Sequence, residues 1–342
     1  MTISYRLLLL IMLYSIRVSA QQGGQSIYQS LTLAPSARTL ALGGRMVSLQ
    51  DSDLVLSLIN PAVLYESSTR QIAINQNFYY SGSAYTTVIG AHHLTKQNIT
   101  VSGALQYLNH GDIIAADEFG NKTGTFTAGE YSIVLGAAKK LFDPLSVGIH
   151  LKYVGSQIES YRSNGLGIDL GALYSLPSGR SSLGLAIRNI GSQWSYYQDQ
   201  KESLPMEILL GYSQRLKYVP FVFTITAHHL TRWNLSIIEE VQDPIFGEAP
   251  RTTSVFSKAM DNLVRHLTIG GEMYLGSHSP IRLRISYDHH RRRELSDQNY
   301  GGLSGFSGGV GIKVSRILFD YGLAQYHLAG SVHALGLSYR WR

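Results

Sequence analysis

The chain has 342 residues, no cysteine and a formal net charge of +6. Without cysteine it can hold no disulfide, no zinc–thiolate site and no cysteine nucleophile, so its stability must come from packing or from a surrounding bilayer. Its basic residues are scattered apart from Arg291-Arg292-Arg293, which argues against a nucleic-acid partner, while 34 glycines and 22 tyrosines suit strands with small inward residues and aromatic girdles.

At the N-terminus, Arg6 precedes an apolar run from Leu7 to Tyr14, and Val18-Ser19-Ala20 offers small residues before a cut. This layout predicts a secretory signal peptide over 1–20, since the run is too short to span a bilayer. Residues 21–68 differ from all that follows. Asp53 is placed to cap a short helix carrying Leu54, Val55, Leu56, Leu58 and Ile59, with Asn60-Pro61 ending it. So short a helix needs a wall to pack on, and the expected wall is the lumen of a barrel, making 21–68 a plug.

From residue 69 to the end the dominant pattern is alternation with period two. Leu166, Ile168, Leu170 and Ala172 alternate with Gly167, Asp169 and Gly171; Ile281, Leu283, Ile285 and Tyr287 alternate with Arg282, Arg284, Ser286 and Asp288. Fourteen such runs are expected, near 70–80, 84–94, 98–109, 129–140, 144–156, 164–176, 181–190, 204–215, 219–230, 263–275, 280–290, 305–314, 317–327 and 332–341. Their length matches that of tilted membrane-crossing strands. Connections after even-numbered runs are all short, whereas every long one (110–128, 157–163, 191–203, 231–262, 291–304) follows an odd-numbered run. Short periplasmic turns and long outer loops are the habit of bacterial outer-membrane barrels, and a soluble sandwich has no reason to sort its loops this way. The expected fold is therefore all-β, a 14-stranded antiparallel transmembrane barrel over 69–342 in the outer membrane.

Few residues suggest chemistry. Gly305-Phe306-Ser307-Gly308-Gly309 matches G-x-S-x-G, but strand alternation follows it where a nucleophile elbow needs a helix. His92-His93, His228-His229 and His289-His290 each fall in a strand run, where neighbours face opposite sides and cannot grip one metal. No enzyme, metal or cofactor is expected. Asp169, Arg282 and Arg284 lie on inward faces and are expected to form a polar lumen network. The outer loop 231–262 carries Trp233, Ile237 and Phe246, candidate anchors for a surface partner, with Arg291, Arg292 and Arg293 as a second candidate surface.

Ser36-Ala37-Arg38, Ala41-Leu42-Gly43-Gly44, Asp51, Asp53 and Asn60-Pro61-Ala62 together resemble the start of the PorV/PorQ family, a branch of the FadL-like barrels. Tyr107 to Asp112, Arg188-Asn189-Ile190-Gly191 and Leu230-Thr231-Arg232-Trp233 resemble its PorQ branch. The resemblance implies a plug holding Arg38, Asp51, Asp53, Asn60 and Pro61. It also implies a role in the type IX secretion system: anchoring a PorZ-like surface protein, and through it the PorU/PorV complex that attaches cargo to lipopolysaccharide. The alternative is a FadL-like channel for small hydrophobic molecules.

Overall fold

The computed structural model describes residues 26–197, 201–235, 255–276, 280–295, 302–327 and 330–341. The expected signal segment lies outside them. Fourteen strands form one closed antiparallel barrel in which each strand pairs with its sequence neighbours and the first pairs with the last. They are β1 (Gln71–Phe78), β2 (Ala84–Leu94), β3 (Ile99–Ala116), β4 (Lys122–Phe142), β5 (Leu145–Ile158), β6 (Tyr161–Ser175) and β7 (Ser181–Ser195). The second half is β8 (Glu207–Arg215), β9 (Phe221–Ala227), β10 (Leu267–Leu275), β11 (Ile281–Asp288), β12 (Phe306–Val314), β13 (Ile317–His327) and β14 (Gly330–Arg340). Closure leaves no unpaired edge, which is what a sheet in hydrocarbon requires.

The alternation read from the sequence sorts faces as expected. Leu135, Leu151, Ile285 and Leu335 are exposed on the outer wall, while Ser132, Lys152, Arg284 and Ala334 are buried within. The three longest connections, 196–206, 228–266 and 289–305, leave the end where β7, β9 and β11 finish, so that end is the outer mouth. The chain enters β1 and leaves β14 at the opposite, periplasmic mouth.

Two of the expected long connections are mostly strand: 157–163 shrinks to the two residues between β5 and β6, and 110–128 shrinks to a turn. Residues 110–128 are mostly strand: β3 and β4 run on past the register shift at Asn109/Asp112 to a turn at 117–121, where the Asp117 carboxylate accepts from the amides of Phe119 and Asn121. Neither β2 nor β5 follows them there, since those pairings end at Asn109 and Ala128. The alternation does continue in this ribbon, Gly124, Phe126 and Ala128 against Thr123, Thr125 and Thr127, but through small residues that make it faint.

Inside the barrel lies the N-terminal segment. Helix α1 (Ala37–Ala41) starts at a capping box in which the Ser36 hydroxyl accepts from the Thr39 amide and Thr39 returns the bond. Further along, Leu54–Leu58 forms a 3-10 turn capped by Asp53, not the expected α-helix. Asn60-Pro61 does not end it. Asn60 caps a second 3-10 turn, Pro61–Val63, with proline at the first position, where its missing N–H costs nothing. Two short turns let the chain change direction within the narrow lumen, which one helix cannot do.

The glycine count finds its reason at this interface. A methyl on Gly148 would collide with the backbone of Pro61, one on Gly184 with the carbonyl of Val47, and one on Gly322 with the carbonyl of Ala37. Wall and plug thus meet backbone to backbone. A Gly184→Ala variant is expected to assemble its barrel but hold the plug more weakly by about 1–3 kcal/mol, the usual range for overpacking. Trypsin should then cut at Arg38, buried in the native plug, and at the half-buried, ion-paired Arg45, in a barrel still heat-modifiable on gels. Unchanged protection would mean that Val47 can give way.

Candidate functional site

Buried polar chemistry concentrates at the plug–wall interface. Helix α1 places Arg38, 1% exposed, at its centre. Arg38 Nη1 donates to Asp53 at 3.0 Å, and Nη2 reaches both Asp51 and, at 2.5 Å, Glu272 of β10. Glu272 also accepts from Arg284 Nε at 2.7 Å, and Arg284 Nη1 lies 2.5 Å from Asp320 on β13. Two arginines are thereby shared among four carboxylates, tying plug to wall. Burial alone would raise the Asp51 pKa, but the adjacent Arg38 guanidinium outweighs it and brings it down to about 2.

Of the expected plug residues, Arg38, Asp51 and Asp53 therefore meet in one cluster. Asn60 works elsewhere: its Nδ2 donates to the carbonyls of Val47 at 2.6 Å and Ala172 at 3.2 Å, while its Oδ1 accepts from the Ala62 amide. Glu272 escaped the sequence reading, although a lone acid in the apolar run Leu267–Leu275 was a visible signal. Arg45 escaped it too; it bridges from the plug to Glu207 at 3.1 Å and Asp288 at 3.0 Å.

The lumen trio does not form one network. Asp169 belongs to a separate group in which Lys152 Nζ lies 2.6 Å and His150 Nδ1 3.3 Å away, with Lys152 also donating to Asn189. Arg284 sits in the Arg38 cluster. Arg282 joins neither by an ion pair; its guanidinium lies over the Tyr274 ring at 5.6 Å. Same-face alternation gives direction, but height along the barrel decides which charges can touch.

At the outer mouth several expectations change. Trp233 stacks on His266 at 5.2 Å, and its carbonyl accepts from Asn262 Nδ2, although the residue stays 65% exposed. Ile237 and Phe246 lie outside the described residues. Residues 255–265, read as loop and strand entry, form helix α2 (Val255–Arg265). The arginine run is not a solvated loop but part of helix α3 (His289–Glu294). Arg291 points inward over the Tyr326 ring at 3.6 Å, Arg292 Nη1 donates to the Gly302 carbonyl, and Arg293 pairs with Asp261 at 3.0 Å. Only one of the three histidine pairs stays within a strand. His229 takes a left-handed φ of 55° beyond the end of β9, which turns its ring back to 4.7 Å from that of His228. Burial first, then Arg45, keeps both rings neutral, with the pKa of His229 brought down to about 2.

A closed 14-strand barrel whose lumen holds the N-terminal segment is the architecture of the FadL-like outer-membrane channels. The toluene transporter TodX of Pseudomonas putida superposes with a TM-score of 0.52 at 10% identity, covering 90% of this chain and 97% of that one. A TodX variant, described as a monoaromatic hydrocarbon channel, gives 0.54 at 11% identity over 91% and 100%. A FadL homologue of Pseudomonas aeruginosa gives 0.50 at 10% identity over 91% and 98%. No family model matches the chain, and no curated protein matches it either.

These neighbours are channels and transporters, not enzymes, and they overturn the anchoring role expected from the PorV/PorQ resemblance. The physical reason lies in what the resembling residues do here. Ser36, Arg38, Asp51, Asp53 and Asn60 cap turns and pair charges within the plug, and Arg38 carries that pairing to the wall at Glu272. That work belongs to holding a plug in a barrel, and none of it builds a surface for a partner.

Proposed function

We propose that this chain is an outer-membrane conduit for small hydrophobic molecules, gated by its N-terminal plug. The observation that carries the reading is the character of the seam between plug and wall. In the outer half, Ile27, Tyr28 and Leu31 pack on Val154 and Leu204, and Ala34, Ala37 and Leu40 pack on Ala324, Val332 and Ala334. A water-filled porin presents polar groups to its lumen. Here an apolar solute entering along the plug exchanges one apolar contact for another, while an ion or a sugar would lose its hydration. The shared architecture with a toluene transporter supports the same reading.

The test is uptake by a Gram-negative host whose lipopolysaccharide excludes apolar solutes. Cells carrying the barrel are expected to take up toluene severalfold faster than cells without it, with no gain for a sugar of similar size. Equal gains for both would make the barrel a porin, and no gain for toluene would end the proposal.

A further inference from the structure

The periplasmic mouth holds a cavity of about 270 Å³ between the plug and the β11–β14 wall, and its lining sets four cations against one carboxylate, that of Asp53, which is already paired with Arg38. Lys313 and Arg340 point into it by alternation with the outward Ile312 and Tyr339, and Arg316 joins them from the turn between β12 and β13. Arg340 is held in place, its Nη2 donating to the Ser52 carbonyl at 3.1 Å and to Gln71 Oε1 at 3.0 Å. Arg282 lines the same space, and its buried Nε has no hydrogen-bond partner. Lys313 and Arg316 are exposed and form no ion pair among the described residues.

Balancing the acids of the Arg38 cluster, the one nearest this cavity, accounts for only part of this charge. The Arg38 cluster has two arginines for four carboxylates, a deficit of two that Arg282 and Arg340 make good. Lys313 and Arg316 are then in excess, two positive charges beside a vestibule open to the periplasm. A phosphate monoester carries about −1.5 to −2 at neutral pH and offers three strong acceptor oxygens. Guanidinium groups match those oxygens in geometry as well as in charge.

We propose that this vestibule is a binding site for a phosphate-bearing group, held by Arg282, Lys313, Arg316 and Arg340. The inference does not depend on what the barrel conducts. Two sources supply the chemistry: a small phosphorylated solute of the periplasm, or the head group of an inner-leaflet lipid reaching in past Trp341 at the rim.

Inorganic phosphate titrated into the purified barrel in a non-ionic detergent at low salt, followed by calorimetry, tests the first source. Retention of phosphatidic acid over phosphatidylcholine in mixed micelles tests the second. Saturable binding in either arm is expected to weaken at least about tenfold in a Lys313→Gln, Arg316→Gln variant, because each residue contributes a charge-assisted contact. Both side chains are exposed, so the variant should keep its heat-modifiable mobility, and Arg180→Gln, in the periplasmic turn between β6 and β7, should change nothing. Phosphate binding identifies a solute site, and retention of phosphatidic acid alone identifies a lipid site. Absence of both, or binding equally strong in the double variant, overturns the proposal.

Discussion

A Ser48→Cys, Ser213→Cys variant is expected to lose toluene uptake when oxidised and to recover it on reduction. Ser48 lies in the plug and Ser213 on β8, both buried, with hydroxyl oxygens 2.6 Å apart. Two cysteines placed there are within reach of one another, and the chain has no native thiol to compete. The bond would add to the contacts that any displacement of the plug must break. Cross-links of this kind contribute about 2–4 kcal/mol, and each 1.4 kcal/mol is a factor of ten in an equilibrium, so uptake should fall by about tenfold or more. Either single cysteine variant should conduct normally, oxidised or reduced, which separates the lock from damage at the site. Normal uptake through a verified cross-link would show that solutes pass beside a stationary plug. The gate would then have to be sought in the wall.

Why the barrel could be read from the sequence and its site only in part follows from the range of the interactions concerned. Alternation is local: Ile281, Leu283 and Ile285 declare their face without reference to any other strand. Sorting of loop lengths is a property of the chain's order, so the direction of the barrel was legible as well. The plug was recognised as a plug because Asp53 and Asn60-Pro61 are capping signals, yet its turns were read as one helix because Leu54 to Ile59 suit either. Contacts across the lumen leave no such trace. Arg38 and Glu272 are 234 residues apart, and nothing near Glu272 announces an arginine. Arg282 and Arg284 share a face, yet only Arg284 sits at a height where Glu272 and Asp320 are in reach. The partner-anchoring reading rested largely on short plug motifs, whose Ser36, Arg38, Asp53 and Asn60 are buried. Such motifs report how a plug is packed, which barrels of different function can share.

Replacing Arg38 with Met should release the plug while leaving the barrel assembled. The change keeps an unbranched apolar stem but removes the guanidinium, leaving Asp51 and Asp53 without the cation they share and Glu272 with Arg284 alone. Removing one partner of a buried ion pair costs about 3–5 kcal/mol, because the remaining charge stays desolvated. The strand ladders do not depend on Arg38, so heat-modifiable mobility should persist while Arg45 becomes accessible to trypsin. If the stranded carboxylates are the cause, adding Asp51→Asn, Asp53→Asn and Glu272→Gln should restore protection without restoring the arginine. Acid separates the cases further. In the native protein the Asp51 pKa is brought down from 3.8 to about 2, so its contribution is complete above about pH 4 and lost as the pH falls through 2. In Arg38→Met the sign reverses, because protonation there removes a repulsion rather than an attraction. Hydrogen-exchange protection in residues 37–64, taken relative to the intrinsic rate at each pH, should therefore fall on acidification in the native barrel and rise in the variant. Parallel responses in the two proteins would mean that the plug is held by its apolar seam and its glycine contacts, with the charge cluster contributing little.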